Sequence, residues 1–168
     1  MKGGIKLSSK AIQKDYEIKD VLKKYTDMVY KLAFSRTKNE ADAEDVFQEV
    51  FFRYFRSNTQ FQSEEHKRAW LIRVTINCSN KLFSSAWFRR TIPLEDNIEF
   101  NEEENQVYFS VMQLPLKYRT VIHLHYYEDM SIYEISKTLK IKESTVKSQL
   151  HRAKALLKIK LEGEYDDV

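Results

Sequence analysis

Apolar side chains at Val21, Leu22, Tyr25, Met28, Val29 and Leu32 recur every three or four positions, which predicts a first amphipathic helix. The pattern resumes in "NEADAEDVFQEVFFRYFR", where Ala43, Val46, Phe47, Val50, Phe51 and Tyr54 share one side. Asn39 is placed to cap that helix, and Asp42 falls in its first turn, where the helix dipole favours an acid. A polar loop, "SNTQFQSEEH", precedes a third helix predicted from about Lys67 to Phe83. Its Leu71, Val74, Cys78 and Leu82 point inward, whereas Arg73, Ile76, Asn77, Asn80 and Phe83 point roughly the other way, beside Lys81. The three helices form one unit, residues 15–90.

A second unit is expected at residues 105–162. Val107, Val111 and Leu114 lie on one face, Pro115 suits the first turn of the next helix, and Tyr118, Val121, Ile122 and His125 are expected inside. Ser131 and Glu134 have capping-box spacing, with Met130 and Ile135 as the accompanying hydrophobic staple. Further on, Val146, Leu150, Ala153 and Leu157 make a core-facing stripe. Ser144, Thr145, Lys147, Ser148, Gln149, His151 and Arg152 are left on the other faces. A helix over Ser131–Leu139, a tight turn at Lys140–Ile141 and this second helix predict a helix-turn-helix. Short hydrogen-bonding side chains lead the second helix and cations follow, the layout of a helix that reads base edges and meets phosphates.

Composition supports an all-helical fold of two small domains: Lys, Glu, Leu and aromatic residues dominate the 168 positions, and turn-forming clusters are scarce. After Gly4 the next glycine is Gly163, so no glycine-rich phosphate loop can form between them, which argues against a nucleotide-dependent enzyme. Cys78 is the only cysteine. An internal disulfide is therefore excluded, and a small core residue in a reducing compartment is the simplest reading. No signal-peptide core or membrane-spanning run is visible, and a cytoplasmic location without membrane insertion is expected.

The net charge of +3 understates a strong segregation. Lys67, Arg68, Arg73, Lys81, Arg89 and Arg90 fall in a stretch without acids. Glu95, Asp96, Glu99, Glu102, Glu103 and Glu104 follow without bases, around Pro93, and predict an acidic linker at residues 91–104. Basic residues return from Lys137 to Lys160. Two cationic patches separated by an acidic tether suit a polyanion held at two places. Cations and amides interleaved with aromatics on the third helix suit an unwound strand. On the second helix, Asp45, Gln48, Glu49 and Arg56 surround Phe52, an apolar anchor in a polar rim of the kind that binds protein.

At this point the sequence resembles a family. "LPLKYRTVIHLHYYEDMSIYEISKTLKIKESTVKSQLHRAKALLKIKL" resembles the promoter-binding C-terminal domain of bacterial RNA polymerase sigma factors of the extracytoplasmic-function group. "DAEDVFQEVFFRYFR" followed by "RAWLIRVTINCSNKLF" resembles the N-terminal domain of the same group. The resemblance implies a non-enzymatic subunit without cofactor that binds core RNA polymerase and recognises and melts promoter DNA. It implies docking of Asp45, Gln48, Glu49 and Phe52 on the clamp helices of the largest polymerase subunit. It places contacts to the melted minus-ten element at Asn58, Phe61, Arg73, Asn77, Asn80 and Lys81, with a flipped base held by the loop Asn58–Gln62. Contacts to the double-stranded minus-thirty-five element fall on Ser144, Thr145, Lys147, Ser148, Gln149 and Arg152. The linker would thread the RNA-exit path, and an anti-sigma factor would be a partner. Four departures bear on DNA preference: Lys140 stands at the usual glycine of the turn, Lys142 at the usual capping serine, Gln149 at a common arginine, and Asn80 at a common aspartate.

Two other functions fit parts of the chain. A stand-alone, dimeric helix-turn-helix regulator would need neither the Phe52 face nor the aromatic, acid-free third helix. A metal enzyme would have to use His123, His125 and Glu128, yet residues two apart on a helix diverge by about 200 degrees.

Overall fold

In a computed structural model of the chain, residues 9–85 and 105–163 are described; the acidic linker, Arg89 and Arg90 lie outside them. Helices α1 (Ser9–Thr37), α2 (Glu40–Arg56) and α3 (Glu64–Ser84) make the first domain. Helices α4 (Asn105–Met112), α5 (Leu116–Ile122), α6 (Ile132–Leu139) and α7 (Glu143–Gly163) make the second, with α5 prolonged by a π-helical turn at His123–Tyr127. No strand occurs among the described residues.

Local chemistry sets the helix ends. Asn39 Oδ1 accepts from the Asp42 N–H at 2.9 Å, as its position predicts. Helix α3 begins at Glu64, three residues before the expected start, because Ser63 Oγ accepts from the His66 N–H and Glu64 and Glu65 occupy the dipole-favoured first turn. Ser131 and Glu134 form the full capping box, and Met130 and Ile135 are buried in one cluster. Pro115 sits one position before α5, its carbonyl accepting from the Tyr118 and Arg119 N–H groups.

One core lies within the first domain, built on Val21, Tyr25, Val29, Val46, Val50, Phe51, Leu71 and Cys78. Burial raises the Cys78 thiol above its ordinary range. A second core joins Val111, Leu114, Val121, Leu124, Ile135, Val146, Leu150 and Ala153 of the second domain to Leu32, Ile72 and Ile76 of the first. The two domains are therefore packed against each other. This corrects the expectation for Ile76, which is buried against the second domain and does not share the exposed face of α3. Val107 is 51% exposed, against the expectation of an inward position. The inward histidine is His123; His125 is half-buried, its Nδ1 2.9 Å from the Met130 carbonyl oxygen.

Arginines hold the seam. Arg119 is buried and donates to Leu114 O at 2.6 Å in its own domain, to Arg36 O at 3.1 Å, and to Ser35 O. The latter two carbonyls end α1 and have no partner within the helix. Burial lowers the Arg119 guanidinium to about 10. Across the same seam, Arg68 of α3 pairs with Glu128, whose other oxygen lies 3.2 Å from His123 Nε2.

Candidate nucleic-acid and protein interfaces

The outer face of α2 is as the periodicity predicts. Asp45, Gln48 and Arg56 are exposed, Glu49 is half-exposed, and Phe52 is 55% exposed while its neighbour Phe51 is buried. The Arg56 guanidinium lies 5.0 Å from the Phe52 ring centroid, and Glu49 Oε1 accepts from Arg53 Nε at 2.6 Å. The face thus offers one bare ring flanked by a cation, an amide and carboxylates.

On α3, Arg73, Asn77, Asn80 and Lys81 are exposed at spacings of four, three and one, so they form one polar stripe. Asn80 is not free: its Oδ1 accepts from Arg36 Nη2 at 2.7 Å. The loop between α2 and α3 exposes Asn58 and keeps Phe61 half-buried. Phe61 stacks on Tyr54, with ring centroids 5.6 Å apart and planes 12° apart, and meets Trp70 and His66 edge-on. Beside it opens a cavity of about 620 Å³, with Glu17 and Asp20 of α1 on one wall and Ser57, Thr59, Gln60 and Lys67 on the other. Glu64 at the start of α3 accepts from Lys24, Tyr25 and Lys67, which hold its carboxyl down to about 2.

In the helix-turn-helix, Lys140 adopts the left-handed conformation with φ of 56°, and its N–H and that of Ile141 both reach Ser136 O. A lysine therefore takes the backbone geometry that favours glycine. Helix α7 starts at Glu143, and the Lys142 carbonyl accepts from the Thr145 and Val146 N–H groups. The missing serine at position 142 leaves the helix start in place. Ser144, Lys147, Ser148 and Arg152 are exposed, Thr145 and Gln149 are half-buried, and Val146, Leu150 and Ala153 are buried against the core.

Known proteins share this architecture of two helical domains. A family model for Sigma-70 region 2 matches residues 21–89, and one for Sigma-70 region 4 matches residues 105–157. The ECF RNA polymerase sigma factor SigW of Bacillus subtilis (strain 168) is 28% identical over 164 residues, covering 84% of this chain and 87% of the relative. RNA polymerase sigma factor SigV of the same strain is 28% identical over 142 residues, covering 80% and 85%. Among solved structures, the sigma factor RpoE from Bartonella quintana, in complex with the anti-sigma factor NepR, superposes with a TM-score of 0.71. At 18% identity over 87% of this chain and 97% of that one, it supports the fold alone. The chain belongs to the Sigma-70 family of RNA polymerase sigma factors, in the extracytoplasmic-function group. It is a promoter-directing transcription initiation factor, and the family is non-catalytic. A stand-alone dimeric regulator is not favoured.

Sequence reasoning gave no interdomain role to Arg36, Arg68, Arg119 or Glu128. Arg36 continues the apolar stripe of α1 four residues after Leu32, and the roles of all four arise only where the two domains meet. A cue existed: Leu32, Ile72 and Ile76 exceed what the first core uses, a sign of a second apolar face. His123 and His125 address different partners, and no group of three potential metal ligands converges among the described residues. Nor is any described helix long and apolar enough to cross a membrane.

Proposed function

We propose that the two domains, with limits at residues 15–90 and 105–162 and a linker at 91–104, divide the work of promoter recognition. The outer face of α2, with Asp45, Gln48, Glu49 and Phe52, docks on the clamp helices of the largest polymerase subunit. The stripe of Arg73, Asn77, Asn80 and Lys81, with Asn58 and Phe61 of the loop, meets the melted minus-ten element. Cations there neutralise phosphates while aromatic and amide groups hold unpaired bases. Helix α7 enters the major groove of the minus-thirty-five element. Ser144, Thr145, Ser148 and Gln149 face base edges, and Lys147 and Arg152 face phosphates. Strand separation is driven by capture of unstacked bases, with no hydrolysis by this chain. An anti-sigma factor is the expected antagonist, as one accompanies RpoE, and the protein acts in the cytoplasm beside its polymerase.

The observation that supports this most is the pairing, in one chain, of an exposed aromatic ringed by polar groups on α2 with an exposed hydroxyl-and-cation face on α7. Reconstituted transcription tests it. Purified core polymerase with this protein, on a genomic library, yields discrete start sites with shared upstream elements. Tight palindromic footprints from the protein alone, unchanged by polymerase, would overturn the reading in favour of a dimeric regulator.

A further inference from the structure

Arg36 is only 5% exposed, and no carboxylate bonds to it among the described residues. Its Nη1 donates to Thr120 Oγ1 at 2.6 Å and its Nη2 to Asn80 Oδ1 at 2.7 Å, while its buried Nε has no partner. Thr120 spends its own hydroxyl proton on Leu116 O at 2.8 Å, so its oxygen is available to accept. Burial, and then the nearby Arg119 charge, lower the Arg36 guanidinium to about 10. It stays protonated at neutral pH.

A guanidinium can only donate hydrogen bonds. The amide of Asn80 must therefore turn its oxygen toward Arg36. Asn80 is exposed, and its Nδ2 donates to no described residue. We propose that Arg36 is a positioning residue that holds the Asn80 amide with its NH2 group outward. Asn80 then addresses hydrogen-bond acceptors on the unpaired strand and favours a keto-bearing base, thymine or guanine, at the edge it meets. At the purine C6 or pyrimidine C4 position, adenine and cytosine present an amino donor where those bases present a carbonyl, so a contact directed there sets donor against donor. The inference rests on the reading of α3 as the minus-ten surface and adds the chemical class of base that Asn80 selects. Arg36 and Asn80 belong to the same domain, so their bond survives separation of the domains, whereas the bond to Thr120 does not.

The test is a promoter library randomised across the minus-ten element, transcribed by core polymerase with each variant and sequenced. Wild type enriches thymine and guanine over adenine and cytosine at one position, by about fivefold, the lower end of what a base contact contributes. Asn80→Asp presents only acceptors and shifts that same position toward adenine and cytosine. Arg36→Met frees the amide to turn and erases the preference there while leaving other positions unchanged; Arg36→Lys, still a pure donor, keeps it. If Arg36→Met leaves the preference intact, or Asn80→Asp fails to move it, positioning is overturned. A loss on Asn80→Ala would then leave the minus-ten reading standing. Should Asn80→Ala match wild type at every position, or weaken all bases equally, both the base contact and its positioning fall. Circular dichroism melts accompany each variant, and if Arg36→Met does not fold, Arg36→Gln, whose amide can accept as well as donate, takes its place and should likewise erase the preference.

Discussion

Arg68 of the first domain and Glu128 of the second are joined twice: Arg68 Nη2 lies 2.7 Å from Glu128 Oε2 and 2.6 Å from the Glu128 carbonyl oxygen. The carboxylate is buried, with His123 on its far side, whereas the guanidinium remains partly in solvent. A buried carboxylate that takes a partner from another domain ties its own desolvation to the docking of that domain.

Arg68→Ala strips Glu128 of its charged partner and is expected to destabilise the docked arrangement by about 1.5–3 kcal/mol, the range for a hydrogen bond to a charged group. Adding Glu128→Gln should recover part of that loss, because the stranded charge is gone. Denaturant unfolding gives the energies. Small-angle scattering checks the accompanying prediction that Arg68→Ala shifts the protein toward a larger radius of gyration.

Glu64 makes acid stability predictable in sign. Its folded carboxyl titrates at about 2, against an ordinary value of 4.5, because Lys24, Lys67 and the Tyr25 hydroxyl donate to the charged form. The associated stability is fully present above pH 4.5 and is lost as pH falls toward 2. Glu64→Gln should flatten that part of the stability curve, by a modest amount since the ion pairs are about half exposed and screened by solvent. Carboxyl-detected NMR titration reads the value directly.

Lys140→Gly should raise the unfolding free energy by up to about 1 kcal/mol. Relief of the left-handed strain exceeds the added freedom of glycine in the unfolded chain. Thermal melting checks it, and binding to minus-thirty-five duplex should be unchanged.

On α2, Gln48→Ala combined with Glu49→Arg should abolish pull-down of core polymerase while leaving the melting curve near that of wild type. The Glu49–Arg53 pair they disturb is exposed and contributes little to folding.

On α7, Lys147→Ala should weaken binding to all duplexes about equally and reduce the slope of log affinity against log salt by about one. Ser148→Ala should instead change which duplex binds best. Titrations at several salt concentrations separate the two outcomes.

Most of the fold was legible because each helix carries its apolar stripe and several carry their caps in sequence: Asn39, Ser131 with Glu134, and the Val146–Leu150–Ala153 stripe all sit where spacing places them. The docking of the domains was not legible. Ile76 lies between Arg73 and Asn77 and reads as part of a polar face until a second domain covers it. Val107 follows the stripe of α4 yet lies near the end of a short helix, where nothing in the described core covers it. In the candidate site, periodicity found the α2, α3 and α7 faces. It gave no hint that Asn80 is gripped by Arg36 or that Phe61 is stacked on Tyr54, since both contacts join residues from different helices or a helix and a loop.

The reach of Arg119 to the end of α1 has a consequence for any antagonist that enters between the domains. Such a wedge must uncover the Ser35 and Arg36 carbonyls and strip two donors' worth of contact from one guanidinium. An inserting segment that brings its own arginine or backbone amides to that spot would replace what it removes. One that brings only apolar side chains would leave two oxygens stranded and bind less tightly for it.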